Sequence, residues 1–343
     1  MNLSRRSRRE WRIILWVVLT SVPISAYFGY TVAPADTPPL ESAVSGALTA
    51  VLIATPIGLY ELKGGRLAFL RRLRRLPLYA YFALRMLFYF VVIVGILLLM
   101  RGLIVSRDSP LTMDPAFRDS ILFSIAMSVF GNIIFLMGGL LGYGTLGNLL
   151  TGRYVQPRRE QRAFLLIDMS NSTGLAERLG AIRFHALLNE FFRDISDAAL
   201  ECDAEIHKYV GDEAILTWRG DRALADGDCL ACAFLVRDFM ASNANRYRER
   251  YGIVPGFRAA LHYGEIVAGE IGDVRREIAF VGDTLNVAAR LLEAAKEVGR
   301  DVLVSDDLLA RTTLPSGIVA EHLPTLAVRG REAPLGIAAL SRA

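Results

Sequence analysis

The 343-residue sequence predicts two domains of different fold class: an α-helical membrane domain with four spans, and an α/β domain of the α+β, ferredoxin-like type. Residues 1–146 contain four long apolar runs flanked by arginine clusters, which is typical of membrane spans. Residues 163–343 have the composition of an ordinary folded domain. Their patterns follow the order strand, helix, hairpin, helix and strands, which is the β-α-β-β-α-β order of a ferredoxin-like sandwich with additions. Residues 147–162 connect the two domains.

The four apolar runs are each long enough to cross a bilayer. A cleaved signal peptide is disfavoured, because the first run lacks a clear small-residue cleavage site and further spans follow. Arg85 lies near the start of the third run, where we expect its side chain to snorkel toward the interface. The spans show no cluster of acids or histidines of the kind found in transporters and proton relays. We therefore expect an anchor, a dimer contact or a sensor. The runs are approximately 13–32, 43–60, 78–104 and 120–146.

The distribution of basic residues predicts the orientation and the partners of the chain. The loop of residues 33–41 has no Lys or Arg, whereas the next loop and the segment after the fourth span are rich in Arg. By the positive-inside rule, both termini and the second domain are cytoplasmic, in a multi-pass protein of the inner (plasma) membrane. The formal net charge of +4 is concentrated beside the apolar runs. The positive charge therefore indicates a lipid bilayer as partner, and no nucleic acid.

The connector of residues 147–162 is short and basic and leads directly into a predicted strand. One interpretation is that it transmits movement of the fourth span to the second domain. The other is that it is a juxtamembrane segment resting on acidic lipid.

Three cysteines lie in the second domain, and two of them, Cys229 and Cys232, form a C-x-x-C motif. This motif is inside an apolar helical pattern, with no second Cys pair and no nearby pair of histidines. We predict that these and Cys202 are buried structural thiols rather than metal or redox groups.

Two aspartates stand at predicted strand ends. Asp168 ends the apolar strand of residues 163–168, and Asp212 lies at the tip of a hairpin that turns at residues 210–212. Carboxylates that converge in this way could hold hard divalent cations such as Mg²⁺. Either residue taken alone could also be an ordinary turn residue, and Glu213 could be a surface charge.

The turn after the first strand reads M-S-N-S-T-G and precedes a helix. Ser172, Thr173 and Gly174 would leave backbone N–H groups free at the helix N-terminus, where a phosphate fits. Ordinary N-capping by Ser172 or Thr173 is the alternative.

Asn286 and Arg290 are four residues apart on a predicted helix, so that they share one face. A guanidinium matches phosphate oxygens and a neighbouring amide could orient a sugar. Alternatively, the helix is only amphipathic and Arg290 is a solvated charge. Lys208 by itself fits a solvated strand lysine. His262 is a candidate catalytic base by residue type. Because residues 256–271 predict a strand, a His-x-Gly turn and another strand, it is also explained as a turn or strand-end histidine.

Four motifs together carry a family resemblance. They are F-L-L-I-D-M-S-N-S-T-G-L, H-K-Y-V-G-D-E-A, H-Y-G-E-I-V-A-G-E-I-G and F-V-G-D-T-L-N-V-A-A-R-L. In this order and spacing they resemble the catalytic domain of the class III nucleotide cyclases, over about residues 160–340. The four-span half is similar to that of bacterial membrane-anchored adenylate cyclases. V-G-D-E-A also has a faint likeness to the G-G-D-E-F turn of diguanylate cyclases, which have no use for the Asn286/Arg290 helix.

The resemblance implies a role for several residues. Asp168 and Asp212 would bind two divalent cations, Mg²⁺ or Mn²⁺, with help from the carbonyl of Met169. Asn286 would orient the ribose, and Arg290 would stabilise charge at the α-phosphate. Lys208 would read adenine N1, and Arg331 (or Arg329) would hold the terminal phosphates.

The resemblance also implies an active homodimer that converts ATP to cyclic AMP. Family sites form between two catalytic domains, and this chain carries both sets of residues. One position departs from the family pattern: Ala279 stands where a second base-reading residue is usually Asp, Thr or Ser. Lys208 still favours ATP over GTP. A guanylate cyclase and a catalytically silent nucleotide-binding relay are the alternatives, and the four intact residues Asp168, Asp212, Asn286 and Arg290 argue against the second.

Overall fold

The computed structural model describes residues 5–33, 37–63, 73, 76–104, 115–274, 276–327 and 334–343. The chain forms two compact units, Met1–Tyr143 and Gly144–Ala343. Both Arg329 and Arg331 lie outside the described residues, so their assignment stays a prediction.

The first unit contains four long helices, which confirms the four predicted apolar segments. All are long and apolar enough to cross a membrane, with mean hydropathies from 1.7 to 2.6 over the spanning windows. Gly29 and Gly46 let the first two helices approach backbone to backbone, since a Cβ on either residue would lie 2.4 Å from a carbonyl oxygen of the other helix. The helices are α1 (Arg5–Thr31), α2 (Pro39–Lys63), α3 (Leu78–Ile104) and α4 (Pro115–Leu141).

The expectation that Arg85 snorkels to the interface is wrong. Arg85 is 4% exposed and forms an ion pair with Glu61 of α2. The hydroxyl of Tyr89, one turn along α3, donates to the same carboxylate. Because α2 presents an acid at this level, pairing within the unit replaces solvation at the interface.

The second unit is a mixed eight-stranded sheet with helices on both faces, and the β-α-β-β-α-β order of its first elements confirms the ferredoxin-like prediction. The strand order is β2-β3-β1-β4-β6-β8-β7, and β5 pairs with β4. The strands are β1 (Arg158–Met169), β2 (Glu205–Val210), β3 (Glu213–Arg219), β4 (Phe257–Ile271), β5 (Glu277–Val281), β6 (Val302–Ser305), β7 (Ile318–Leu326) and β8 (Leu335–Arg342). The helices are α5 (Tyr143–Leu150), α6 (Ser172–Leu179), α7 (Ala181–Glu201), α8 (Gly220–Leu224), α9 (Asp228–Ser242), α10 (Ala244–Tyr251), α11 (Asp283–Glu297) and α12 (Asp306–Leu309).

Strand β1 separates two cores, because alternate side chains of a strand point to opposite faces. Leu165 and Ile167 pack against α7 and α9. Phe164 and Leu166 pack on the other face against Leu291 and its neighbours on α11. Every side chain of residues 163–167 is therefore buried, which explains the continuous apolar run in the sequence.

The three cysteines confirm the prediction of structural thiols. All are free and buried on the α7–α9 side of the sheet. Burial raises the pKa of Cys229 to about 12, so that its thiol is protonated at neutral pH.

Two predicted boundaries are wrong. Strand β1 begins at Arg158 instead of Ala163, because the second part of the connector pairs with the far end of β4. Residues 257–271 form one continuous strand without the predicted His-x-Gly turn. Gly264 lies inside this strand because Thr284 of α11 packs directly over it, and its hydroxyl donates to the Glu265 carbonyl at 2.6 Å.

The contact between Gly264 and Thr284 gives the first prediction. A Cβ at Gly264 would lie 2.7 Å from the Thr284 Oγ1, and Thr284 is buried and β-branched. Gly264→Val should therefore destabilise the second unit by about 1–3 kcal/mol through overpacking. Thermal unfolding of the full-length chain in detergent measures this effect. Gly147→Ala, at a helical glycine with open space around it, is the matched control. Equal melting temperatures for the two variants would contradict the proposed clash.

Candidate active site

Two carboxylates meet where β1 leaves the core. Asp168 follows Leu166 by two positions and so lies on the α11 face of the sheet. Asp212 lies in the tight turn between β2 and β3, where Gly211 has a φ of +62°. Because β1 pairs with β3 and Asp168 is opposite Glu213, this turn brings the two aspartates close enough for their charges to interact.

In the acidic cluster of Asp168, Asp212 and Glu213, nearby positive charge does not balance the negative charge. Burial, and then the negative charge of Asp212, raise the pKa of Asp168 from its ordinary value of 3.8 to about 6. Burial and the same two aspartates raise the pKa of Glu213 to about 7. The positive charges of Arg258 and Lys296 act in the opposite direction on Asp168 but do not offset these effects. The cluster thus lacks positive charge.

This donor set fits a hard divalent cation. Among the described residues there is no group of three or more His, Cys, Asp or Glu side chains arranged around a metal position. Mg²⁺ is commonly held by one or two carboxylates, with waters and substrate phosphates completing its shell. Met169 could contribute only through its backbone carbonyl, because its side chain is 1% exposed and packs in the core.

The turn after β1 does not contain the Ser or Thr N-cap that the sequence suggested. The N-cap residue of α6 is Asn171, with φ 57° and ψ 38°, and its side chain makes no capping hydrogen bond. Ser172 is already the first helical residue, so that N-capping by Ser172 or Thr173 is wrong. The Asn171 side chain instead lies against Gly174, where a Cβ would be 2.7 Å from its Oδ1. The first turn of α6 thus keeps the free N–H groups that an anion can use.

The basic and amide residues lie on the same side of the sheet as Asp168. Lys208 is opposite Ile215, whose side chain packs in the α11-side core. Asn286 and Arg290 are exposed on α11, and Arg290 Nη1 donates to Glu293 Oε2 at 2.6 Å. The Lys208 Nζ is 3.7 Å from Glu277 Oε1 on β5. Lys208 and Arg290 therefore each have an acidic partner within the single chain.

Side chains of strand β5 contact strand β2, which carries Lys208. The β2–β3 register shifts between Ile206 and Lys208, and the ring of His207 at this bulge stacks on Phe280 at 4.3 Å. Burial, and then the charge of Lys208, lower the pKa of His207 to about 4, so that it is neutral. Sequence patterns did not identify His207, Glu277 or Glu293 as neighbours of the site. The contacts of His207 and Glu277 join different strands, and the contact of Glu293 with Arg290 depends on side-chain rotamers. Ala279 is also on β5, opposite Gly269.

His262 is a core residue. It is 4% exposed in the middle of β4, and its Nδ1 lies 2.7 Å from Ser305 Oγ on β6. Asp168 is paired with Arg258, four positions away along β4, so His262 is about 13 Å from that level of the sheet. The turn interpretation is wrong for His262, and the geometry gives no support to a role as catalytic base at the acidic cluster.

Comparisons with known proteins agree with this arrangement. The family described as the adenylate and guanylate cyclase catalytic domain matches residues 155–336. Adenylate cyclase 2 of Rhizobium meliloti (strain 1021) is 38% identical over 307 residues, which cover 86% of this chain and 83% of that protein. Such coverage must include much of the first unit. Adenylate cyclase 1 of the same organism is 28% identical over 52% of this chain and 27% of its own length.

A solved structure also shares the fold. The structure of a bacterial light-regulated adenylyl cyclase aligns with a TM-score of 0.53 and 13% identity, covering 64% of each chain. The match of the cyclase family to residues 155–336 defines the second unit as a nucleotide cyclase type of catalytic domain. The chain belongs to the class III adenylate and guanylate cyclase family.

The acidic cluster gives a prediction about stability. Because the pKa of Asp168 is raised in the folded chain, its charged form is disfavoured by folding, and this penalty is present above pH 6 and disappears as pH falls toward 3.8. Asp168→Asn should therefore raise the melting temperature in chelator-containing buffer at pH 7.5, and raise it less at pH 5.

Asp203→Asn is the matched control for this measurement. Asp203 is an exposed turn residue with φ 53°, a conformation that Asn tolerates, and its ion pair with Arg222 is loose at 3.8 Å. Its substitution should leave the melting temperature unchanged at both pH values. A lower melting temperature for Asp168→Asn at both pH values would show that the two aspartates stabilise the fold as a hydrogen-bonded pair.

Proposed function

We propose that the chain is a membrane-anchored adenylate cyclase that converts ATP to 3′,5′-cyclic AMP and pyrophosphate. The observation that carries this proposal is the pairing of Asp168 with Asp212 on a sheet face that also presents Lys208, Asn286 and Arg290. The likeness to adenylate cyclase 2, which extends over both units, supports an adenine nucleotide as the substrate. It also supports the four-helix unit as the membrane anchor of the enzyme.

Asp168 and Asp212, with the carbonyl of Met169, would hold two divalent cations, Mg²⁺ or Mn²⁺. Such ions supply activation of the ribose 3′-hydroxyl and neutralisation of phosphate charge when bound. The lack of positive charge at the cluster supports this assignment, since a cation would stabilise the charged form of Asp168, which burial and the charge of Asp212 disfavour.

The remaining residues would position the nucleotide. Arg290 donates to the α-phosphate, where negative charge develops, and Asn286 holds the ribose so that its 3′-hydroxyl is in line with the leaving pyrophosphate. Free N–H groups of the first α6 turn, at Ser172, Thr173 and Gly174, would bind phosphate oxygens. Arg331 would bind the terminal phosphates.

Lys208 would select adenine. Its ammonium group would leave Glu277 and bind the base when the nucleotide binds. Because Ala279 offers no hydrogen-bonding side chain, recognition of the base depends on Lys208 and on backbone groups. GTP is therefore the competing substrate, and the identity of the product decides between the two.

The proposed assembly is a homodimer with two equivalent composite sites. One protomer would supply the aspartates, and its partner would supply the groups on β2 and α11. Exposure of Asn286 and Arg290 in the single chain supports this arrangement, since both side chains are open to a second catalytic unit. The proposed location is the inner (plasma) membrane, with four spans, both termini and the catalytic unit in the cytoplasm, and regulation through the first unit.

Product identification tests the activity and the choice of base. The full-length protein with Mg²⁺ or Mn²⁺ should convert ATP to cyclic AMP, measured by chromatography. Asp212→Asn should reduce turnover by a factor of about 10² or more, because one of the two carboxylates that hold the cations is lost. The control Asp203→Asn should retain activity. Cyclic GMP as the main product would overturn the base assignment, and near-normal turnover by Asp212→Asn would refute the metal assignment.

A second experiment tests the composite site. Asp212→Asn and Arg290→Ala should each be inactive alone, but a mixed dimer contains one site that carries both substitutions and one intact site. Co-expression should therefore restore about a quarter of wild-type activity if the protomers associate randomly. Co-expression of Asp212→Asn with Asp168→Asn is the control, since neither site of that mixed dimer is intact. Equal activities for the two co-expressed pairs would contradict sites shared between protomers.

A further inference from the structure

Arg162 of β1 is a charged residue in a buried position. Its side chain is 0% exposed and, two positions before Phe164, lies on the α11 face of the sheet. Burying a charge is costly unless the charge is paired and hydrogen-bonded. An aliphatic side chain at this position would extend the apolar run of residues 163–167 without that cost. The guanidinium therefore needs an explanation beyond filling the core.

Three groups hold the edge of the guanidinium. Its Nη2 donates to the Tyr154 hydroxyl at 2.9 Å and to Glu160 Oε2 at 2.9 Å, and its Nε donates to the same carboxylate oxygen at 3.1 Å. Its Nη1 donates to Glu205 Oε2 at 3.4 Å. Glu205 is the first residue of β2. Arg162 therefore connects β1 to the beginning of the strand that carries Lys208.

The guanidinium also contacts β2 indirectly, through an aromatic ring of β5. Its Cζ lies 4.5 Å from the ring centroid of Phe280, which is within the range of a cation–π contact. The Phe280 ring stacks in turn on His207, with centroids 4.3 Å apart. His207 directly precedes Lys208 in the chain. A continuous series of side-chain contacts thus runs from Arg162 to the residue beside Lys208.

Strand β2 needs such contacts because its own backbone pairing holds it weakly at this point. Among the strands that the structure describes, β2 lies at the edge of the sheet and pairs with β3. The pairing register shifts between Ile206 and Lys208, which is the position of His207. A bulge disrupts the ladder locally and re-aims a nearby side chain. The contacts at Glu205 and His207 therefore supply a constraint on Lys208 that the ladder lacks.

We propose that Arg162 is a positioning residue for recognition of the nucleotide base. It holds β2 directly at Glu205, and indirectly at His207 through the aromatic ring of β5. These two contacts set the position of the Lys208 ammonium group before the nucleotide binds, which lowers the entropic cost of its hydrogen bond to the base. The inference rests on the proposed function, in which Lys208 reads the N1 atom of adenine.

Comparison of ATP with 1-deaza-ATP measures the Lys208 contact alone, because the analogue differs from ATP only in having a C–H group in place of N1. For the full-length wild type with Mg²⁺, kcat/KM should be higher for ATP than for 1-deaza-ATP by about tenfold or more, the equivalent of one charge-assisted hydrogen bond. Lys208→Met should abolish this preference. A purely structural defect lowers the activity towards both nucleotides together and leaves their ratio unchanged.

Two variants test the role of Arg162. Arg162→Lys retains a positive charge for the carboxylates but loses the planar group that stacks on Phe280. Phe280→Leu removes the ring and retains an apolar side chain at a half-buried position, which the fold tolerates. Each variant should reduce the preference for ATP about threefold or more, mainly by raising the KM for ATP while kcat changes little.

Arg219→Lys is the matched control. Arg219 is opposite Arg162 in the β1–β3 register, and its Nη2 lies 3.4 Å from Glu205 Oε1. The aromatic ring that its guanidinium contacts in the described chain is that of Tyr154. The substitution should therefore leave the preference for ATP unchanged. Melting temperatures show which variants fold, and if Arg162→Lys does not, Phe280→Leu alone decides.

Binding measurements separate this inference from the proposed function. 3′-Deoxy-ATP and its 1-deaza derivative have no 3′-hydroxyl and cannot be cyclised, so their dissociation constants give the same comparison without turnover. If the wild type forms no cyclic nucleotide but prefers 3′-deoxy-ATP, and both variants lose that preference, the cyclase activity is refuted and the role of Arg162 stands. An unchanged preference in the folded variants, an equal loss in Arg219→Lys, or no preference in the wild type would overturn the role of Arg162.

Discussion

Burial of Asp168 beside a second carboxylate, Asp212, is the constraint on which the candidate site depends. A strand buried on both faces must end in a polar residue where it leaves the core, and the short β2–β3 turn brings a second carboxylate to the same point. Burial, and then the charge of Asp212, raise the pKa of Asp168 to about 6, and the charges of Arg258 and Lys296 offset this only in part. The fold therefore maintains an arrangement that disfavours its own charged state. In the proposed function this strain is useful, since binding of a cation relieves it.

The basic residues of the candidate site raise the question of repulsion between positive charges. In the proposed function Arg290 and Lys208 must remain available to a nucleotide, yet unpaired cations on one face of the sheet would repel each other. Glu293 and Glu277 neutralise them in the single chain through ion pairs that are about half exposed. Exposed pairs of this kind contribute at most about 1 kcal/mol, so a polyphosphate or a base can displace the acids at low cost. A buried pair would have held the same cations too firmly.

Local patterns predicted most of this fold and failed where contacts between distant segments decide the structure. The hairpin at Gly211, the amphipathic α11 and the buried β1 follow from turn chemistry and from the period of apolar residues. A turn at Gly264 was a reasonable prediction from local sequence, but glycine serves close packing against Thr284 instead, which only the tertiary structure reveals. Likewise, the cap of α6 uses the left-handed conformation of Asn171 rather than a Ser or Thr hydroxyl. The two aspartates of the candidate site could be singled out from the sequence because strand ends and turns are local features.

Two polar residues of the first unit respond differently to the same apolar surroundings. Arg85 is buried, and its Nη2 forms an ion pair with Glu61 and donates to the Tyr89 hydroxyl, whereas its Nε has no hydrogen-bond partner among the described residues. Asn132 is buried to a similar degree and has no such partners within the described residues. In a hydrocarbon environment no bulk water compensates an unsatisfied amide, and its cost is higher than in a soluble protein. The ion pair between α2 and α3 shows that this unit can pair a buried polar group internally, a pairing that Asn132 lacks among the described residues.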